Sequence, residues 1–197
     1  MKSPNFKTYL TANLEVAEEE ITSLLENCVT KIFKKGEFLL QKGEYCKHAF
    51  FVENGLLRQY SINENGKEHI LSFAPENWFA TDRESSVFNQ PSMYYIQALE
   101  ESKVVMIDND FIRLLSEKIP GFTDFNNRLL HNHIRHLQKR INLLLSAAAE
   151  DRYLQFIKMY PDILLRVPQT MIASYLGITP ESLSRVRKEL AQKNFKT

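Results

Sequence analysis

The sequence predicts an α+β protein with three parts: an N-terminal antiparallel β-roll (double-stranded β-helix) flanked by helices, a long helix, and a small all-α C-terminal domain. Short apolar runs separated by glycines extend from Val29 to Met106, which is typical of a roll of short strands. A helical apolar repeat then continues from about Thr123 to Ala149. Residues 169–188 have the pattern of two short helices joined by a glycine-bearing turn.

The N-terminal elements follow from the spacing of apolar residues. In residues 4–27 they recur at helical spacing, as at Ile21 and Leu25, which predicts a single helix. Asn63–Gly66 has the residues of a hairpin turn. Six strand-like segments surround that turn: Phe38–Leu40, Ala49–Val52, Leu56–Tyr60, His69–Phe73, Tyr94–Ala98 and Lys103–Ile107.

A short helix around Phe111 is predicted next, followed by the long helix with an apolar seam. The seam residues alternate four and three apart, as the a and d positions of a coiled coil do: Leu130, Ile134, Leu137, Ile141 and Leu144. A helix lying on its own domain can also carry such a stripe. The basic flanks Arg135, Lys139 and Arg140 favour packing against a second copy, so we expect a homodimer. A further helix is predicted over about 150–160.

Residues 169–188 predict a helix-turn-helix, a motif whose second helix can enter a DNA major groove. Gly177 is the residue best able to take a left-handed backbone at a helix end. Thr179 is a good N-cap and Pro180 a good first residue for the second helix, predicted over 180–191. The apolar residues expected to face inward are Met171, Ile172, Leu176, Leu183 and Val186.

The second helix carries the residues that suit DNA recognition. Glu181, Ser184, Arg185 and Lys188 are three and four apart and therefore share its outward side. Arginine can bond guanine O6 and N7, and glutamate can accept from a cytosine amino group. We expect phosphate contacts from Gln169, Thr170, Ser182, Arg187 and Lys188. The alternative is an ordinary surface helix in which Glu181 and Arg185 form an ion pair of roughly 0.3–0.5 kcal/mol.

Charge and composition narrow the class of protein. The 197 residues have a net charge of +1, but the segment from Ile163 onward is basic and the preceding body acidic, which fits a nucleic-acid contact in one lobe. No apolar run is long enough to span a membrane, and no export signal opens the chain. Cys28 and Cys46 suit a reducing cytoplasm and lack metal-ligand spacing. We therefore expect a cytoplasmic protein.

The order of these parts resembles the Crp/Fnr superfamily of bacterial transcription regulators over nearly the whole chain. The similar segments are the glycine-marked turns Lys35–Glu44, Phe51–Gly55 and Asn65–Glu68, the end of the roll at Ala98–Ser102, and the entry to the DNA-binding lobe at Ala149–Tyr153. Glu181–Arg185 is similar to the Glu-x-x-Ser-Arg of the FNR-like branch, which implies base contacts for Glu181, Ser184 and Arg185. The resemblance implies a cyclic-nucleotide-binding-like sensor domain at 1–122, a dimerisation helix at 123–149 and a helix-turn-helix DNA-binding domain at 150–197.

The cyclic-nucleotide cassette of that family is degenerate in this chain. Family members that bind cAMP carry Gly-Glu and, about ten residues later, an arginine that pairs with the cyclic phosphate. The corresponding stretch of this chain, residues 79–95, contains no Gly-Glu, and Ser92 stands at the arginine position. Burying a phosphate without a cation is unfavourable by several kcal/mol, so cAMP is not expected. Either the pocket is filled or it takes an unknown small-molecule effector, for which the candidate lining is Thr81, Arg83, Glu84, Ser92, Tyr94 and Tyr95.

Two further expectations concern what the chain lacks. No β-hairpin wing is recognisable after the second helix, so the alternative function is a ligand-sensing or protein-interaction module that has lost DNA binding. His131, His133 and His136 cluster on the long helix without a carboxylate or cysteine to complete a metal site, and the roll contains only His48 and His69. We expect no metal, no cofactor and no enzyme activity. The leading hypothesis is a homodimeric regulator of an inverted-repeat DNA site, with RNA polymerase as a candidate further partner.

Overall fold

The computed structural model describes residues 5–26 and 28–194. Within these residues the chain forms helices and strands that we number in chain order. The helices are α1 Phe6–Thr11, α2 Glu18–Leu25, α3 Arg83–Phe88, α4 Asn109–Lys118, α5 Phe122–Ser146, α6 Ala149–Met159, α7 Ile163–Arg166, α8 Gln169–Leu176 and α9 Pro180–Asn194. The strands are β1 Val29–Phe33, β2 Phe38–Leu40, β3 His48–Asn54, β4 Leu57–Ile62, β5 Glu68–Ala74, β6 Phe79–Ala80, β7 Tyr95–Ala98 and β8 Ser102–Asp108.

The N-terminal segment is two helices, so the prediction of one helix over residues 4–27 is wrong, and its two end residues lie outside the described chain. The Asn5 side chain caps α1 by accepting from the Thr8 N–H at 2.7 Å. The chain leaves α1 after Thr11, and Leu14 is buried in the connection. Three glutamates then open α2, where negative charge is favourable beside the unpaired N–H groups.

The roll consists of two four-stranded sheets with the strand orders β1-β8-β3-β6 and β2-β7-β4-β5. Their pairs are antiparallel, as in Val52 opposite Val104 and Leu57 opposite Ala98. A core that includes Phe50, Val52, Leu57, Ile96 and Val104 is buried within the roll. All six predicted strand segments overlap observed strands, and the predicted fold class is confirmed. The hairpin turn at Asn63–Gly66 also forms, with the Asn63 N–H donating to Lys67 O.

A second apolar cluster packs helices onto one sheet of the roll. Phe51 of β3 lies at its centre, with ring centroids 4.9 Å from both Phe6 and Tyr9 of α1. The cluster also contains Ile21 of α2, Phe111 of α4 and other buried residues up to Phe125. Burial of these side chains is what holds the flanking helices, since short helices have little stability of their own.

The described chain divides into two compact units. The first, the roll unit, ends at Leu129 and excludes Glu68–Ile70; the second, the helical unit, comprises Glu68–Ile70 and everything from Leu130 onward. The predicted boundaries at 122/123 and 149/150 remain predictions. None of the described helices is long and apolar enough to cross a membrane.

The core of the helical unit is formed by α6, α8 and α9. The rings of Phe156, Tyr160 and Tyr175 meet with centroids 5.3–5.8 Å apart. Ile172 and Leu183 are almost fully buried beside them. The short helix α7, which was not predicted, occupies the connection between α6 and α8. The long helix α5 ends at Ser146, three residues earlier than predicted.

Candidate nucleic-acid interface

The turn between α8 and α9 has the geometry expected of a helix-turn-helix. Gly177 is left-handed, with φ 66° and ψ 35°, and the N–H of Ile178 donates to Ala173 O at 3.0 Å. Glycine takes this backbone without steric cost, which explains its position. A Cβ on Gly177 would lie 3.2 Å from Leu144 Cδ2, so the turn also passes close to α5. Thr179 then caps α9 by accepting from the Ser182 N–H at 3.2 Å.

Two buried side chains fix the orientation of α9. Leu183 is 0% exposed and Val186 is 7% exposed, as predicted for the inward side. Of the other predicted inward residues, Ile172 and Leu176 are buried while Met171 is only half-buried. The opposite side carries Glu181, Ser184, Arg185 and Lys188, all of which are exposed. We call these four residues the readout face.

The readout face is not neutralised from within. Glu181 and Arg185 form no ion pair in the described chain. The alternative interpretation, a surface helix stabilised by that ion pair, is therefore not supported. The pKa of Glu181 lies below its ordinary value, first through a hydrogen bond with its own backbone N–H and then through the Thr179 hydroxyl. Glu181 is therefore ionised at neutral pH and can act only as an acceptor.

The predicted phosphate-contacting residues lie around this face. Ser182 is half-buried beside Thr179. The other four are exposed: Gln169, Thr170, Arg187 and Lys188. Sequence reasoning missed Lys193, whose ammonium donates to both carboxylate oxygens of Glu150 at 2.7 and 2.9 Å. This pair joins the end of α9 to the start of α6. Its members are 43 residues apart, so no local spacing could have revealed it.

The predicted dimer seam is an exposed apolar stripe on α5. Ile134, Leu137, Ile141 and Leu144 are between 38% and 56% exposed, and Leu130 is half-buried. Leu145, which was not assigned to the seam, is 82% exposed beside them. Such a contiguous apolar stripe on a long helix is the kind of surface that marks an interaction site.

In the roll, Ser92, the residue predicted to stand at the phosphate-pairing position, is engaged in an internal network. The Ser92 hydroxyl, 1% exposed, donates to Asp82 Oδ2 at 2.7 Å, and the Tyr94 N–H donates to Ser92 Oγ at 3.0 Å. The other Asp82 oxygen accepts from the Ser85 N–H at 3.2 Å and so caps α3. The Ser85 hydroxyl in turn accepts from the Cys46 N–H at 2.8 Å. A buried carboxylate, missed by sequence reasoning, therefore lies beside Ser92.

The other candidate pocket residues differ in exposure and in their contacts, and their role as a pocket lining stays a prediction. Arg83 and Glu84 are exposed on α3. The Thr81 hydroxyl donates to His48 O at 3.3 Å. The Tyr95 ring stacks on Tyr60 at 5.1 Å, against the strand β4 that pairs with its own. Of the six predicted residues, Ser92 and Tyr94 are hydrogen-bonded to each other.

The histidines and cysteines show no arrangement typical of a metal site. No group of three His, Cys, Asp or Glu residues in the described chain is placed to hold a metal ion. His131 and His133 are exposed, while His136 is half-buried. Burial raises the pKa of the Cys28 thiol to about 12, with Asp108 adding to the effect. This thiol is therefore a poor nucleophile and a poor metal ligand at neutral pH.

Comparison with known proteins identifies the family. Residues 30–118 match the cyclic nucleotide-binding domain model. The chain is 30% identical over 183 residues to an anaerobic regulatory protein of Haemophilus influenzae, covering 86% of this chain and 70% of the relative. It is also 28% identical to the regulatory protein HlyX of Actinobacillus pleuropneumoniae, covering 87% of this chain and 75% of the relative. The chain belongs to the Crp/Fnr superfamily of transcription regulators.

Solved structures of the superfamily share the fold. FixK2 from Bradyrhizobium japonicum is similar with a TM-score of 0.73 at 17% identity, covering 85% of this chain and 86% of FixK2. CooA from Carboxydothermus hydrogenoformans is similar with a TM-score of 0.71 at 18% identity, covering 98% and 86% respectively. The sequence-based prediction of a Crp/Fnr regulator rather than an enzyme is confirmed by the relatives from Haemophilus influenzae and Actinobacillus pleuropneumoniae, which are regulatory proteins. Regulators of this superfamily bind DNA and act as dimers.

Proposed function

We propose that this Crp/Fnr regulator binds a specific DNA sequence through α9, with Glu181, Ser184 and Arg185 contacting bases. The observation that carries the proposal is the readout face itself: an exposed acid, hydroxyl and guanidinium on the side of α9 opposite the buried Leu183 and Val186. Arg185 suits the O6 and N7 atoms of guanine, and the ionised Glu181 suits the amino group of cytosine. Gln169, Thr170, Ser182, Arg187 and Lys188 would fix the register by contacting phosphates.

The protein would bind as a homodimer formed along α5. The exposed seam residues Ile134, Leu137, Ile141 and Leu144 support this step, because pairing two copies would remove the apolar stripe from water. Two recognition helices related by a twofold axis read an inverted repeat. Its half-sites should therefore be about one helical turn, 34–36 Å, apart.

The roll would serve this function without a cyclic nucleotide. The Asp82 carboxylate lies against Ser92, which stands where an arginine would pair with the phosphate. Adding a buried anion beside that carboxylate would be strongly unfavourable. Either an effector of another chemistry acts through this unit, or the unit takes no effector. We further propose that the protein works in the cytoplasm, where bacterial DNA lies, and that RNA polymerase is a partner.

Selection of random duplex DNA by the purified protein, across a salt series, tests the function. An inverted repeat should be enriched, and Arg185→Ala should weaken binding to the selected site by about 1–3 kcal/mol and relax one position in each half-site. Lys188→Ala should weaken all duplexes alike and reduce the salt slope by about one. Arg113→Ala is the matched control, because Arg113 is an exposed arginine on α4 that pairs with Asp110.

The outcomes separate the two candidate functions. Failure to enrich any duplex at low salt would contradict DNA binding and favour the protein-interaction alternative. If Arg185→Ala bound the selected site as tightly as Arg113→Ala does, the guanine contact would be assigned to the wrong residue. A single unrepeated half-site would contradict binding by a twofold dimer.

A further inference from the structure

The first turn of α9 carries an apolar side chain next to the readout face. Pro180 opens α9, is exposed, and directly precedes Glu181. The four residues of the readout face are all polar or charged, so the pyrrolidine ring differs from them in chemistry. In a recognition helix the N-terminal residues are the ones that reach base edges. The ring therefore occupies a position from which a base can be contacted.

The backbone donors of this first turn are already paired within the chain. Proline has no N–H, and the Glu181 N–H is hydrogen-bonded to its own carboxylate. The Ser182 N–H donates to Thr179 Oγ1 at 3.2 Å, and the Leu183 N–H donates to Thr179 O at 3.0 Å. These are the groups that a helix N-terminus ordinarily offers to a phosphate. The start of α9 therefore presents side chains to DNA rather than free amides.

An exposed pyrrolidine ring can distinguish bases only through apolar contact. In the major groove the apolar group that marks a base is the C5-methyl of thymine, whereas the other edges show hydrogen-bond donors and acceptors. The ring has neither, so it would cover such polar atoms without replacing their bonds to water. Against a thymine methyl it would remove apolar surface of both partners from water. Thymine is therefore the base that suits this side chain.

The ring is also held rigidly, which favours a selective contact. Proline fixes φ near −65°, and burying its side chain loses almost no rotamer freedom. The same turn is anchored from inside by Leu183, which is 0% exposed. A rigid group retains most of the free energy gained by apolar contact, because little is lost in ordering it.

We propose that Pro180 is a further specificity-determining residue, which contacts the C5-methyl group of a thymine adjacent to the base pair contacted by Glu181. The Cα atoms of consecutive residues are about 3.8 Å apart, close to the 3.4 Å between successive bases of a strand. The two side chains can therefore reach neighbouring base pairs. The inference rests on the proposed function and adds one thymine to each half-site of the DNA.

Uracil substitution in the selected duplex tests the contact, because uracil differs from thymine only in lacking the C5-methyl group. Each thymine of one half-site is replaced in turn, and the Kd of the full chain is measured by fluorescence anisotropy. One replacement should raise the Kd about fourfold, the equivalent of about 0.8 kcal/mol for one buried carbon. The sensitive thymine should adjoin the base pair at which Glu181→Ala relaxes the preference.

Pro180→Ser should abolish the thymine–uracil difference at that position while retaining the preferences assigned to Glu181 and Arg185. Thr179→Ser is the matched control, because it removes the methyl group of the neighbouring residue but keeps the hydroxyl that caps α9. The control should retain the fourfold difference. The Tm of each variant checks its folding, and should Pro180→Ser fail to fold, the uracil scan of the parent chain still decides whether any methyl group is read.

The outcomes separate this contact from the proposed function. If the parent chain selects no duplex, both are overturned. If it selects a duplex whose Kd is unchanged by every uracil replacement, the proline contact alone is overturned. The same conclusion holds if the thymine–uracil difference survives Pro180→Ser or disappears in Thr179→Ser.

Discussion

The roll unit and the helical unit differ in how completely their buried charged side chains are hydrogen-bonded. In the roll, Asp82 is buried and its two oxygens accept from Ser92 and Ser85. In the helical unit, Arg140 and Arg152 each retain a buried N–H group without a described partner. The buried carboxylate of the roll is thus hydrogen-bonded by its neighbours, whereas two buried N–H groups of the helical unit are not.

A third surface differs from both because its charges are exposed. On α9, Glu181 and Arg185 lie in solvent and do not pair with one another. Solvated charges carry little stabilising energy, so their substitution should affect partners rather than folding. Substitutions in a buried hydrogen-bond network should instead affect folding rather than partners. The variants below separate these cases, from the largest expected effect on the free energy of unfolding to the smallest.

Leu183→Ala should produce the largest loss of stability, because it tests whether the buried side of α9 holds the readout face. Leu183 is fully buried, and truncation of such a leucine lowers the free energy of unfolding by about 2–5 kcal/mol. Leu165→Ala is the control: Leu165 is 91% exposed on α7, and its truncation should change stability by less than about 0.5 kcal/mol. Urea unfolding followed by circular dichroism measures both. Equal effects of the two variants would mean that α9 is not anchored as described.

Asp82→Ala should give the next largest effect, because it opens the closed network of the roll. It removes the cap of α3 and leaves the buried Ser92 hydroxyl without its acceptor, so unfolding should become easier by about 1–3 kcal/mol. Asp110→Ala, which removes an exposed carboxylate paired with Arg113, should cost at most about 1 kcal/mol. The same unfolding assay applies. If Asp82→Ala left the free energy of unfolding unchanged, the network would not stabilise the roll, and the roll could then admit an anion.

How much of this architecture the sequence could predict depends on the range of the interactions. The six strand segments, the long helix and the helix-turn-helix were predicted because their patterns are local: alternation, helical spacing and a glycine at a helix end. The N-terminal break between α1 and α2 was missed because both halves carry apolar residues at helical spacing. Short elements such as α3, α7 and the two-residue β6 offer too few residues for any period to be recognised.

The sites were predicted unevenly for the same reason. The readout face follows from spacing on one helix, so the exposure of Glu181, Ser184 and Arg185 agrees with expectation. The sequence drew attention to Ser92 but not to its partner Asp82, since ten residues of chain separate them. Arg140 was assigned to the flank of the dimer seam, whereas the structure places its guanidinium over Tyr175. Tertiary packing decides such contacts, and spacing does not encode them.

Gly177→Ala tests the turn that joins the two helices of the readout element. Alanine in a left-handed backbone costs about 1–2 kcal/mol, and here its Cβ would also lie 3.2 Å from Leu144 Cδ2. Gly66→Ala is the matched control, because Gly66 is left-handed as well and nothing lies within 4 Å of its added Cβ. The difference between the two losses of unfolding free energy, a few tenths of a kcal/mol, isolates the contact with α5. If Gly66→Ala were the more destabilising variant, the close approach at Gly177 would be excluded.

The smallest effect concerns the titration of His136 on α5. The pKa of His136 is lowered in the folded protein, so folding favours the neutral ring. The contribution of this neutral ring to the free energy of unfolding is fully present above the unfolded-state pKa near 6.5. It is lost as the pH falls through the folded-state pKa. Burial is the first cause, so Arg140→Gln should raise the pKa of His136 only part of the way towards its ordinary value. Arg135 lies on the same helix but is not among the groups that lower the pKa of His136, so Arg135→Gln should leave that pKa as low as in the parent protein. NMR titration of the histidine ring signals measures each pKa. An unchanged pKa of His136 in Arg140→Gln would show that the Arg140 guanidinium does not contribute to lowering it.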